Sequence, residues 1–278
     1  MSALRCGRIA YTNDLPIYAA YDEAQLDFPG TLHAGVPSEL NAMLLAGELD
    51  VSPISAFAFA KDADRFVLLP RLCIGARSDV ISVVLISSTP PSLLGGETIA
   101  LTDESASAAA LLRVLLQRRY GVQATYRQTH APLDVAHEGG PALLIGDTAI
   151  DAEFTFARDH IYDLGRLWHE WTGEDTVFAA WAARKEVYER RFADVQACLN
   201  SLLEARAWGF NHLDRVVQRA QELKPRRPGF YEAYYRALNF ELDEPAQRGL
   251  RAYWRELSAI GEIERVPDLT VESAGVAG

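Results

Sequence analysis

Three short stretches of this chain end an apolar run on clustered polar side chains, and the chemistry they could carry is recognition of an anion. In "GRIAYTNDLPIY" the run from Gly7 to Tyr11 gives way to Thr12, Asn13 and Asp14 before Leu15 and Pro16 resume it. A chain that only had to turn would more often use Gly, which reaches positive φ without strain. In "LTDESASAAALLRVLL" Thr102, Asp103, Glu104, Ser105 and Ser107 stand just before or at the start of a long Ala/Leu helix. Several hydroxyls and unpaired N–H groups then converge where the helix dipole is positive, which suits a carboxylate. In "ALLIGDTAI" Gly146 permits close backbone approach, and Asp147 and Thr148 follow at a helix start. Each stretch also has a plainer reading. Asn13 or Asp14 could cap a helix with no ligand present, one Ser or Thr could cap the second helix, and Asp147 could cap the third.

The elements that must position these residues are legible as an alternation of short apolar strands and helices, which implies an α/β fold with largely parallel strands. "RIAY", "DVSPIS", "FVLLP", "VISVVLIS", "TIALT", "ATYRQT" and "ALLIG" read as strands. Open sheets of this kind present ligand-binding residues where strands end and helices begin. "PSELNAMLLAGEL" reads as a helix capped by Ser38 and stopped by Gly47, and "SASAAALLRVLLQRRYG" as one stopped by Gly121. From Lys185 the chain turns helical without a convincing strand, broken at "PRRPGF". "FYEAYYRALNF" has helical spacing and reads as packing, with solvent-facing tyrosines.

Composition narrows the function. At 278 residues, 49% hydrophobic and 23% charged, the chain can bury one large core or two modest ones. A net charge of −11 with scattered arginines argues against a nucleic-acid surface; "KPRRP" at Lys224–Pro228 is the one dense basic patch and reads as a solvated helix end. Cys6, Cys73 and Cys198 are odd in number and far apart, as expected of buried small hydrophobes in a reducing compartment. No segment has the apolar length of a signal peptide or membrane span, so the expected location is cytoplasmic, with no membrane partner. The six histidines lack metal spacing, "LLGGE" is a turn too short for a phosphate loop, and nucleophile-elbow and dinucleotide fingerprints are missing. Neither metal nor cofactor is therefore expected.

Together the motifs resemble the chorismate dehydratases of menaquinone biosynthesis. The likeness runs through "GRIAYTNDLPIY", "VPSELNAMLLAGELDVSPIS", "ISVVLISSTPPSLLGGETIALTDESASAAALLRVLL", "ALLIGDTAI" and "DLGRLWHEWTGEDTVFAAWAARK". It implies a two-lobe fold of the type II periplasmic-binding-protein kind, with a cleft between lobes and extra C-terminal helices. Residues 1–85 and 179–278 would form lobe I and residues 86–178 lobe II, joined by crossovers near "VVLISS" and "VFAAWA". It further implies that Asn13 and Asp147 are catalytic and that Ser82, Ser105 and Ser107 bind substrate; Thr102, from the same polar cluster, and Ser55 are further candidate substrate-binding residues. The implied reaction converts chorismate to 3-[(1-carboxyvinyl)oxy]benzoate and water, the first step of the futalosine route. The base would be either Asp147 or the substrate's own enolpyruvyl carboxylate, since a neutral amide such as Asn13 cannot act as one. Alternatives are 1,4-dihydroxy-6-naphthoate synthase of the same route and a non-catalytic small-anion solute-binding protein. The resemblance leaves oligomeric state open, a homodimer being one option. Ala10, Thr12, Asp103 and Glu104 depart from the usual pattern, and the two acids must point away from any carboxylate site.

Overall fold

A computed structural model describes residues 3–269. The chain opens with β1 (Leu4–Ile9), a 3-10 turn (Thr12–Asp14), α1 (Leu15–Asp22), β2 (Gly30–Gly35), α2 (Pro37–Ala46), β3 (Val51–Ser55), α3 (Ala56–Lys61) and β4 (Phe66–Ala76). It then crosses to β5 (Val83–Ile86), β6 (Thr98–Thr102), α4 (Ala106–Val114, prolonged by a π-helical turn), β7 (Thr125–Thr129), α5 (Pro132–His137), β8 (Ala142–Ile145), α6 (Gly146–Thr155), β9 (Ile161–Asp163) and α7 (Leu164–Thr172). It returns through β10 (Thr176–Arg184), α8 (Lys185–Arg190), α9 (Phe192–Asn211), α10 (Leu213–Leu223), α11 (Phe230–Ala237), β11 (Leu238–Asn239) and α12 (Glu244–Ala259).

Two sheets result, ordered β11-β4-β10-β3-β1-β2 and β7-β6-β8-β5-β9. The expected lobe limits, after 85 and after 178, fall inside β5 and β10. All of β5 lies in the second sheet and all of β10 in the first, so the chain crosses at 77–82 and at 173–175. The sheets are mixed rather than largely parallel. The strand entered after each crossing, β5 or β10, runs against both of its neighbours. The remaining parallel pairs, β1 with β2 and β3 and β6 with β7 and β8, keep the helix-linked order that the sequence alternation implies.

Burial explains why the inner strands read as unbroken apolar runs. β3, β5 and β8 are buried at every position because helices cover both sheet faces, whereas the edge strands β2 and β7 are largely exposed. All three cysteines are buried and free, with Cys6 and Cys198 sulfurs 3.7 Å apart. The tyrosines of "FYEAYYRALNF" are not solvent-facing: Tyr231, Tyr234 and Tyr235 are fully buried on α11. A two-residue strand, β11, follows them where no strand is expected. Ser38 does not cap α2, which starts from extended Val36 with Pro37 in its first turn.

α12 binds the lobes together. Trp254 stacks on Phe59 and donates its Nε1–H to the Ala56 carbonyl at 2.9 Å, while Tyr253 donates to the Ser107 carbonyl of α4 at 3.0 Å. Among the described residues no helix is long and apolar enough to cross a membrane.

Candidate functional site

The C-terminal ends of β1, β3 and β8 and the loop after β6 meet at one cavity between the sheets. Asn13 and Ser55 line it from the first lobe, Ser105 from the second, and Ser82 from the first crossing. Ile9, Pro37, Ile74, Val80, Val83, Ile145, Phe178 and Ala179 supply apolar walls. Among the described lining residues there is no Lys, Arg or His. Positive potential comes instead from helix N-termini: α2 begins at the wall residue Pro37, α4 just after Ser105, and α6 at Gly146.

Each polar wall residue has a local reason for its position. Asn13 lies in the 3-10 turn, and neither it nor Asp14 makes a capping hydrogen bond. Its Oδ1 is buried without a partner, an acceptor left open to a donor on a ligand. Ser55 caps α3 by accepting the Ala58 N–H at 3.3 Å, and its own N–H donates to Asn41 Oδ1 at 3.0 Å. That second bond explains the asparagine of "SELN". Ser105 caps α4 by accepting the Ala108 N–H at 3.3 Å. Ser82 is buried, and its carbonyl accepts the Gly146 N–H at 2.8 Å. Gly146 is required here: its φ is +59°, and a Cβ would meet the Tyr11 ring at 3.3 Å.

The other expected site residues lie outside this wall. Ser107 sits below it, its Oγ 2.7 Å from Ser55 Oγ and accepting the Phe57 N–H at 3.1 Å. Thr102 is buried and accepts the Glu104 N–H at 3.2 Å. Asp147 is half-buried and accepts the Thr12 hydroxyl at 2.7 Å, tying the second lobe to the first. The Thr12 carbonyl in turn accepts the Tyr235 hydroxyl at 2.9 Å. Of the two unusual acids, Asp103 pairs with His130, whereas Glu104 does not point away as expected: it accepts the hydroxyl of the wall residue Tyr11 at 2.7 Å. Burial and the Glu104 charge push the Tyr11 phenol up, so it stays a donor. Tyr11 lines the cavity and was not singled out, although it closes the same apolar run that precedes Asn13. Among the described residues no three His, Cys, Asp or Glu side chains gather to hold a metal ion.

Ser107→Ala should lower stability by about 1–3 kcal/mol, because it leaves the part-buried Phe57 N–H unpaired and breaks a buried hydroxyl pair between lobes. Urea unfolding of the two proteins measures this; a difference below about 0.5 kcal/mol would show the pair to be of no consequence.

The chain matches the family described as menaquinone biosynthesis over residues 4–259. It is 31% identical over 262 residues to a chorismate dehydratase of Thermus thermophilus, covering 87% of this chain and 93% of that one. It is 26% identical over 268 residues to a 1,4-dihydroxy-6-naphtoate synthase of the same organism, covering 94% and 96%. Among solved structures, a protein from Archaeoglobus fulgidus aligns with a TM-score of 0.72 at 18% identity, covering 94% of this chain and 98% of that one. The periplasmic aliphatic sulphonate binding protein of Escherichia coli aligns with a TM-score of 0.64 at 14% identity, covering 98% and 94%. The fold is thus of the periplasmic-binding-protein kind, with two lobes around a cleft.

Proposed function

This chain belongs to the menaquinone biosynthesis family, and on that footing we propose that it is a hydro-lyase that removes water from chorismate to give 3-[(1-carboxyvinyl)oxy]benzoate. The observation that carries the reading is the make-up of the cavity wall: neutral donors and acceptors and helix N-termini around an apolar slot between the lobes. Chorismate is a six-membered ring bearing one carboxylate directly and a second on its enolpyruvyl ether. The apolar walls take the ring, and the helix N-termini with Ser105 take carboxylate charge, joined by Ser82 when its hydroxyl proton turns from the Val80 carbonyl, 3.3 Å away, to the ligand.

The reaction breaks the C3–H and C4–O bonds and forms the last double bond of a benzene ring. Aromatisation supplies much of the driving force, so the protein has mainly to orient the substrate and stabilise charge. The C3 proton is vinylogous to the ring carboxylate, and donors around that carboxylate stabilise the charge that develops as the proton leaves. Asn13 is assigned to the C4 hydroxyl, because its buried, unpartnered Oδ1 suits an O–H donor. For the base we choose the enolpyruvyl carboxylate of the substrate itself, which takes the C3 proton and, as a carboxylic acid, returns it to the C4 oxygen so that water departs. Asp147 stands outside the wall and is engaged by Thr12.

Purified protein incubated with chorismate should yield a product lighter by one water, followed by mass spectrometry, while the larger nucleoside-derived substrate of a naphthoate synthase is returned unchanged. Turnover of the larger compound alone would overturn the reading in favour of the synthase. Chorismate bound but unchanged would overturn it in favour of a solute-binding protein.

A further inference from the structure

Among the described residues Ile81, in the first crossing, is the β-branched residue with a positive φ. Ile81 has a φ of +66°, a conformation that a β-branched side chain adopts only under constraint. The Ser82 N–H donates to the Val80 carbonyl at 2.7 Å, closing a three-residue γ-turn of the strained, left-handed kind. The Ser82 hydroxyl donates to the same carbonyl at 3.3 Å, so the turn fixes both backbone and side chain of this cavity residue. Read as sequence, Val80–Ser82 would continue the strand "VISVVLIS"; in the fold it is the bend that precedes β5.

One side chain holds the bend. The Asp163 carboxylate accepts the Val80 N–H at 3.1 and 3.2 Å and the Ile81 N–H at 2.6 Å. It also caps α7 through the Arg166 N–H at 3.0 Å. The residue is only 4% exposed, so these bonds are shielded from water. Close approach of α7 to the crossing depends on Gly165, where a Cβ would lie 2.5 Å from the Ser78 carbonyl oxygen. A capping aspartate needs only the N–H groups of its own helix. Two further N–H groups, from the crossing and next to a strained residue, are what a cap alone does not explain.

We propose that Asp163 is a positioning residue for Ser82: by binding the Val80 and Ile81 N–H groups it holds the γ-turn that sets the Ser82 hydroxyl in the cavity wall. The proposal deepens the dehydratase reading and rests on it for the activity measured. Asp163→Asn keeps size and capping capacity but replaces one acceptor oxygen with an NH2 group that cannot accept. The turn should relax toward negative φ and turnover of chorismate should fall about 100-fold, the scale of an ångström-sized misplacement in a site. In a Ser82→Ala background the same change should lower turnover less than about 3-fold, because the group it positions is already gone. Ile81→Gly, for which positive φ carries no steric penalty, should restore much of the activity lost in Asp163→Asn.

A crystal structure of Asp163→Asn, with no ligand needed, gives the readout that separates the two claims. If the native chain does not turn over chorismate, the dehydratase reading fails, yet movement of Ile81 and Ser82 in the variant still supports the clamp. An unchanged φ at Ile81, or a full loss of activity repeated in the Ser82→Ala background, would overturn the positioning role. If Asp163→Asn does not fold, the double variant with Ile81→Gly carries the test. Folded and active, it supports the clamp; folded with no recovery, it refutes it.

Discussion

Asn13→Asp should lower turnover of chorismate by at least about 100- to 1,000-fold, while stability changes by about 1 kcal/mol or less. The substitution is nearly isosteric, so packing is kept. It keeps an acceptor oxygen for the C4 hydroxyl but sets a negative charge against a substrate that carries two. If Asn13 were a helix cap, Asp would serve as well and nothing would change. No such cap exists: neither the 3-10 turn nor α1 receives a side-chain hydrogen bond at its start. Steady-state kinetics on the folded variant decides the matter, and near-native turnover would remove Asn13 from the mechanism.

Asp14→Asn should abolish a fall in stability that the native protein shows between about pH 4 and pH 8. Asp14 is fully buried and both of its carboxyl oxygens lack a hydrogen-bond partner. Burial pushes its carboxyl up to about 8, against the opposing pull of Arg8. Arg8 is itself held by Asp22 through bonds of 2.5 and 2.7 Å. The folded protein thus keeps the proton across a range in which the unfolded chain releases it. Stability is greatest below the ordinary carboxylate value of 3.8 and declines as pH rises, by at most about 1.4 kcal/mol per unit, levelling off above about 8. The ceiling is about 6 kcal/mol. Asparagine cannot ionise, so its unpaired amide lowers stability equally at every pH. Urea unfolding of both proteins at pH 5 and pH 8 isolates the difference, and parallel pH slopes would show that Asp14 is ionised in the fold.

How far the fold could be read depended on whether a signal was local. β3, β6 and β7 lie close to where their apolar runs place them, because a run bounded by polar residues is a local property. The direction of β5 and β10 was not legible, since it is set by where the chain crosses between lobes, and no residue pattern along a strand records its neighbour's direction. Val80–Ser82 read as strand for the same reason: the bend is imposed by Asp163, 81 residues further along the chain than Ser82, and not by any turn residue.

The cavity shows the same division. Asn13, Ser55, Ser82 and Ser105 come from four separate segments; Asn13, Ser55 and Ser105 stand at or just past the end of an apolar run, whereas Ser82, inside "VISVVLIS", was marked only by the family resemblance. Ser107 and Thr102 shared the first of these signals, but the Ser107 hydroxyl pairs with Ser55 and Phe57, and the Thr102 oxygen accepts the Glu104 N–H. Asp147 has the same fate through Thr12. The tyrosines of α11 were misread because their hydroxyls look polar in sequence. In the fold the Tyr235 hydroxyl is spent on the Thr12 carbonyl, behind the turn that carries Asn13.

The most direct test of the account is a crystal structure of the protein with 3-[(1-carboxyvinyl)oxy]benzoate. The account predicts the aromatic ring in the slot between Ile74, Val83 and Phe178, its C4 edge toward Asn13 and its carboxylates near Ser82, Ser105 and the start of α6. Product bound elsewhere, as in the hollow beside Phe230 and Arg227, with the Asn13 cavity empty, would contradict it.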